Sequence, residues 1–286
     1  MKSVHKKQVF NGYLLAVILL VPILAFVGMG LDTGLLPKFW ELTYSELPKS
    51  EENPIYFFFL RENFGMVGKM EFDAVLLLPK IIPLLAGLTV IPFIQMRDSY
   101  FQFAKTRMLH AARTECGMVG QTVGLSGAAT FIGYLLTMLG ARLMFVQTYV
   151  TGESWNAFVN DANIALDDAA HPYLYLLALG AMRFLLFPML MALLTIAVSY
   201  LTKKIYIYLL VPTVYVLIGY SLFSQGMTDK WPLPLFSPEN FIWPKGPQYW
   251  GFGHETGYVW GIVCASLIII VPSLVIIWWG MRKRRA

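Results

Sequence analysis

The chain has 286 residues, of which 57% are apolar in the broad sense and only 14% are charged. An average soluble protein carries about 25% charged residues, and the mean hydropathy here is +0.59. These values exclude a soluble globular enzyme, a disordered chain and a nucleic-acid-binding domain, and they point to an all-α, polytopic membrane protein. The two cysteines, Cys116 and Cys264, have no paired spacing, so neither a disulfide framework nor a zinc site is supported.

A helical span needs roughly 20 mostly apolar residues to cross about 30 Å of hydrocarbon. Six stretches meet this in chain order: about 9–30, 74–94, 116–146, 173–201, 205–223 and 258–280. The first has a basic start (Lys2, Lys6, Lys7), but its apolar run exceeds a signal-peptide core and no small-x-small cleavage site follows. It reads as an uncleaved first span. The second is interrupted by Lys80 and by Pro79, Pro83 and Pro92. No repeat, low-complexity tract or separate soluble domain breaks the pattern, so 1–286 reads as a single transmembrane domain.

Loop charges give the expected topology, because Lys and Arg collect on the cytoplasmic side. With the N-terminus inside, the inner segments hold Lys2, Lys6, Lys7, Arg97, Lys105, Arg107, Arg113, Lys203, Lys204, Arg282, Lys283, Arg284 and Arg285. Their only acids are Asp98 and Glu115, and the other acids fall in the outer loops. The formal charge of +5 therefore reflects topology, not a nucleic-acid surface. The expectation is N-in and C-in, with two large outer loops, the first and the last. The last is rich in proline and in aromatic residues such as Trp231, Phe236, Phe241, Trp243 and Trp250. Such side chains favour the water–lipid boundary. The loop reads either as a segment that dips back into the outer leaflet or as a surface loop with an aromatic belt.

The chemistry is sparse. No Asp or Glu falls inside the six expected spans, which argues against an ion-coupled carrier. There is no GxxxxGK[ST] phosphate loop; Gly65, Gly68 and Lys69 have the wrong spacing. Gly124, Ser126 and Gly127 match the GxSG of rhomboid intramembrane proteases. A serine nucleophile needs a base within reach, yet His5, His110, His171 and His254 all lie outside the spans. The alternative is packing: Gly117, Gly120, Gly124 and Gly127 recur on one helix face and let helices approach, within the subunit or across a dimer. Lys80, Arg142 and Arg183 lie in the outer halves of spans. Lys80 and Arg142 are placed to snorkel, while Arg183 is deeper. Together they make candidate contacts along a path for anionic groups. No catalytic or metal-ligating set emerges.

The connection 95–115 alternates Tyr100, Phe101, Phe103, Met108 and Leu109 with Arg97, Lys105, Arg107 and Arg113. This is an amphipathic, basic segment, suited either to anionic lipid or to a cytoplasmic partner. With six spans, both termini inside and a long apolar loop before the last span, the sequence resembles the permease subunits of type-2 ATP-binding-cassette exporters. Gram-positive peptide or antimicrobial exporters carry an acidic residue, a small residue and an aromatic after the second span, then a Thr/Ser-Arg step. Arg97, Asp98, Ser99, Tyr100, Phe103, Thr106, Arg107 and Arg113 occupy those places, with Ser99 where glycine is common.

The resemblance implies a non-enzymatic transport subunit in a bacterial cell membrane. It implies an ATPase-coupling segment of Arg97, Asp98, Tyr100, Phe103, Lys105, Arg107 and Arg113. It implies two cytoplasmic ATPase subunits that hold the ATP and magnesium, a second permease, identical or related, and a hydrophobic or amphipathic substrate. Trp231, Phe236, Trp243 and Trp250 would sit in re-entrant helices of the last outer loop. The alternative class is an ATPase-independent accessory or immunity protein, or an intramembrane hydrolase built on Ser126.

Overall fold

The computed structural model describes residues 12–32, 67–99, 111–144, 177–178, 180–223 and 257–283, together with Pro238 and Phe241. The described residues are helical almost throughout and contain no strand. The helices are α1 (Gly12–Asp32), α2 (Val67–Asp98), α3 (Ala111–Met144), α4 (Phe187–Leu201), α5 (Ile205–Phe223) and α6 (Gly257–Lys283). A π-helical stretch, Met182–Leu186, leads directly into α4.

Four segments are long and apolar enough to cross a membrane: Leu78–Asp98, Ala112–Gly140, Met182–Leu201 and Ile262–Lys283. The apolar stretches Gly12–Gly28 of α1 and Ile205–Gly219 of α5 are shorter. Leu15, Leu19 and Ile23 of α1 and Leu267, Val271, Leu274 and Val275 of α6 stand on the outside of the bundle. Continuous apolar faces of this kind are stable against lipid rather than water. The protein is built as a helical membrane protein.

α4 is the central stave. Phe187, Leu190, Met191, Ile196 and Ala197 are buried on all sides of it, as expected of a helix that is apolar all round. It packs against α2, α3, α5 and α6, while α1 packs on α2 and α3.

Several helix ends differ from the sequence expectation, α2 starting at Val67 rather than 74 among them, and two bear on the polar end of the bundle. α2 runs on through Asp98 rather than ending near 94, and α3 begins at Ala111 rather than 116. Arg97, Asp98, Arg113 and Glu115, expected in a connection, are therefore helical. The connection shrinks accordingly, and Tyr100, Phe103, Lys105 and Arg107 lie outside the described residues.

The entry to α4 has a local cause. Pro188 lacks an N–H for the carbonyl four residues back, that of Phe184. The Phe187 N–H reaches instead to the Met182 carbonyl, the longer π-type bond. The Thr130 hydroxyl of α3 points at the Phe184 carbonyl at 2.7 Å. Its one proton is shared with the Ser126 and Gly127 carbonyls at 2.9 and 3.0 Å. Tyr134 stacks on Phe184 with centroids 4.6 Å apart. Further along, Phe241 is fully buried and stacks on Phe187 at 5.6 Å. So at least this part of the last long loop packs into the bundle.

The glycine face of α3 divides. A Cβ on Gly127 would meet the Leu185 carbonyl at 2.7 Å, so α3 and the π stretch touch through backbone there. Gly117, Gly120 and Gly124 meet none of the described residues where a Cβ would stand. Among the described residues, only Gly127 of the four is a packing contact.

Thermal unfolding in detergent should separate these sites. Gly127→Ala should lose about 1–3 kcal/mol by overpacking, while Gly120→Ala should lose nothing, alanine being the better helix former. Thr130→Val should lose about 0.6–1.7 kcal/mol, the span measured for hydrogen bonds between membrane helices. In a Pro188→Ala background, which restores the backbone donor, the same Thr130→Val change should cost close to nothing.

Candidate functional site

A cluster of polar residues stands at one end of the bundle, where α2 and α4 finish and α3 starts. Arg97, on the last turn of α2, is 1% exposed. A buried guanidinium must satisfy its donors or pay several kcal/mol in lost solvation. Here it does so on α4. One terminal nitrogen donates to the Ser199 hydroxyl at 2.8 Å, and the other to the Ser199 carbonyl at 3.2 Å. That carbonyl belongs to the last turn of α4, which no further helical N–H can satisfy, and a cation there also meets the negative end of the helix dipole. Asp98 accepts from Arg97 Nε at 2.9 Å and from the second terminal nitrogen at 3.3 Å. It supplies the counter-charge from a side chain about one-third exposed.

Tyr200 completes the arrangement. Its ring lies 4.6 Å from the guanidinium carbon of Arg97, in cation–π range. Its hydroxyl donates to Glu115 of α3 at 2.6 Å, a short bond of the charge-assisted kind. Glu115 is itself buried. On the remaining side stands Gly280 of α6, where a Cβ would come within 2.6–2.9 Å of the tyrosine ring carbons and Cβ. One side chain thus touches α2, α3 and α6 from its place on α4.

The same end carries the exposed cations. Arg282 lies over Trp278 at 5.5 Å, Lys283 over Trp279 at 5.2 Å and Lys204 over Tyr206 at 5.9 Å. Aromatic and basic side chains so paired suit a lipid headgroup boundary.

The residues expected to act together are distributed. Arg97 faces inward and anchors α2 to α4, whereas Asp98 is partly exposed and Arg113 exposed. Lys80 is exposed on α2, and Arg183 is 1% exposed within the π stretch, so the structure separates a surface cation from an internal one. Arg142 lies near the end of α3, its side chain outside the described residues, as are Trp231, Phe236, Trp243 and Trp250. Ser126 is fully buried, and its hydroxyl has no hydrogen-bond partner among the described residues. The four histidines all lie outside them. Cys116 is exposed and Cys264 half-buried, both as free thiols.

Sequence reasoning missed Ser199 and Tyr200 as partners of Arg97, and Glu115 as the partner of Tyr200. The available signal was an Arg and a Glu bracketing one connection while a Ser-Tyr pair closed an otherwise apolar span.

Replacing Arg97 with Met leaves the C-terminal carbonyls of α4 and the Asp98 carboxylate without their donor. Asp98 is 34% exposed and can turn to water, so the main loss is the unsatisfied Ser199 carbonyl, about 1–3 kcal/mol. Thermal unfolding in detergent should show a loss of that order for Arg97→Met and a smaller one for Arg97→Lys, which keeps the charge without the forked geometry.

Comparison of the chain with protein-family models, with curated proteins and with solved structures returns no match.

Proposed function

We propose that this chain is the membrane-spanning permease subunit of an ATP-binding-cassette exporter in a bacterial cell membrane. In this reading it has six spans and both termini inside. The basic end with Lys204, Arg282 and Lys283 then faces the cytoplasm, as the positive-inside rule requires. Its last outer loop re-enters the membrane, in keeping with the buried Phe241.

One observation carries the reading. The short connection between α2 and α3 is bracketed by Arg97 and Glu115, and both are bonded to the last turn of α4. A partner that pushes on this connection would push on the central helix. The sequence of the connection, aromatic and basic by turns, suits a protein groove. Because the chain has no phosphate loop, the energy must come from another subunit. Asp98, Tyr100, Phe103, Lys105, Arg107 and Arg113 would meet that ATPase, with Arg97 tying them to the bundle. Two permeases, identical or related, and two ATPases binding ATP and magnesium would form the working complex. Lys80, Arg142 and Arg183 would favour anionic groups of a hydrophobic or amphipathic substrate, a peptide, antimicrobial or lipid-like molecule. Only a difference in affinity between the inward and outward states does work on such a substrate.

The test is affinity purification of the chain from its own host in mild detergent, with mass spectrometry of what co-elutes. A stoichiometric ATPase subunit is expected, and it should be lost from a Tyr100→Ala, Phe103→Ala, Arg107→Glu variant that still purifies as a monodisperse membrane protein. A preparation with no ATPase, repeated after crosslinking, would overturn the reading in favour of an accessory, immunity or hydrolytic protein.

A further inference from the structure

We propose that Tyr200 is a latch: it holds the ends of α2, α3 and α6 against α4 in one of two packed arrangements, and its release frees α3 from α4. The inference deepens the transport reading by naming the switching element, but it does not depend on the energy source.

Four observations converge on it. The Tyr200–Glu115 hydrogen bond is a polar tie between α3 and α4 at this end. The Arg97 guanidinium covers the ring from α2 while bonding the neighbouring Ser199. Gly280 gives the ring its place against α6, so no side chain of α6 intervenes. Next to the joint, the glycine face of α3 at Gly117, Gly120 and Gly124 meets none of the described residues, so none of those wedges the first turns of α3 on that side.

A joint of this kind is bistable rather than elastic. The hydroxyl of Tyr200 either reaches Glu115 or does not, and a buried carboxylate that loses its donor must find water or another donor. Movement of α3 by an ångström or two would break a 2.6 Å bond, and water entering from the basic end would then satisfy both groups. Arg97 would remain on Ser199 throughout, because its bonds run to α4 and not to α3. The latch therefore separates α3 from an α2–α4 pair that moves as one piece. Among the described contacts, Arg97 of α2 and Gly280 of α6 face the Tyr200 ring in this joint.

Two spin labels read this directly on the chain alone in nanodiscs, without nucleotide or partner. One is placed on native Cys116, exposed beside Glu115, and the other on Leu201→Cys, exposed beside Tyr200, in a Cys264→Ser background. The expected distance distribution has one dominant population and a minor longer one. Tyr200→Phe keeps the ring and the cation–π contact but removes the donor, and it should raise the longer population about tenfold. Glu115→Gln keeps the shape and an acceptor but removes the charge, and should raise it by a smaller factor. Thr195→Val, which removes a hydroxyl bonded only within α4, should leave the distribution as in the parent. If Tyr200→Phe and Glu115→Gln both fold and leave the distribution unchanged, or only broaden a single population, the latch is overturned. Because no ATPase takes part, that result is independent of whether an ATPase co-purifies.

Discussion

The need to satisfy one buried guanidinium organises this end of the protein. Arg97 cannot stay in the bundle without donors placed and charge balanced. The cheapest acceptors available there are the carbonyl and hydroxyl of Ser199, left over where α4 ends. Once Arg97 is committed to α4, the flat face of the guanidinium needs a neighbour, and Tyr200 provides it. Once the Tyr200 ring is fixed between Arg97 and Gly280, its hydroxyl has one direction to point, toward α3, and Glu115 is there. The sequence of constraints is directional: charge first, then ring, then hydroxyl. It explains why a chain with so few charged residues holds Arg97 and Glu115 inside.

The other end of α4 is governed by a missing donor rather than an extra charge. Pro188 withholds its N–H, the helix widens into a π turn, and Thr130 reaches across from α3 to the Phe184 carbonyl. The close backbone approach at Gly127 is what lets Thr130 reach. The small residue, the hydroxyl and the proline are three parts of one solution on two helices. Arg183 sits within this widened turn, so an internal cation in the outer half of the expected spans lies where the helix is least regular. π turns occur disproportionately at functional positions.

Helix existence was legible in the residues because crossing a bilayer demands a long apolar run, and such runs are hard to mistake. Helix ends were not. Arg97 and Glu115 looked like loop residues, since a lone charge is excluded from a span; only the three-dimensional pairing with Ser199 and Tyr200 makes them affordable in helices. The absence of acids from spans, read as evidence against ion coupling, holds for the centre of the bundle but not for its rim, where Asp98 and Glu115 close α2 and open α3. The glycine spacing was visible, but periodicity gives a face and not its occupant. Gly127 faces the π turn while Gly117, Gly120 and Gly124 face none of the other described residues. Phe241 likewise looked like one more aromatic of a long loop, because burial by a distant Phe187 leaves no local mark.

α4 joins the two irregular sites. Arg183 and Tyr200 stand about 25 Å apart along it at 1.5 Å per residue, close to the thickness of the hydrocarbon core. Between them the helix is packed on all sides and has no glycine or further proline to bend at. Such a segment transmits displacement as a rod. A change at the Tyr200 end that freed α3 would leave α4 attached to α2 through Arg97 and still attached to α3 through Thr130. The Thr130 contact then becomes the pivot about which α3 and α4 separate. A pivot at the π turn and a latch at the polar joint would open the bundle like a pair of tongs, widest at the basic end. The irregular turn beside Arg183 would feel that motion as a change in angle rather than in distance. With the latch acting as proposed, this geometry would make the internal Arg183 sensitive to events at the far face through the rigid α4 alone.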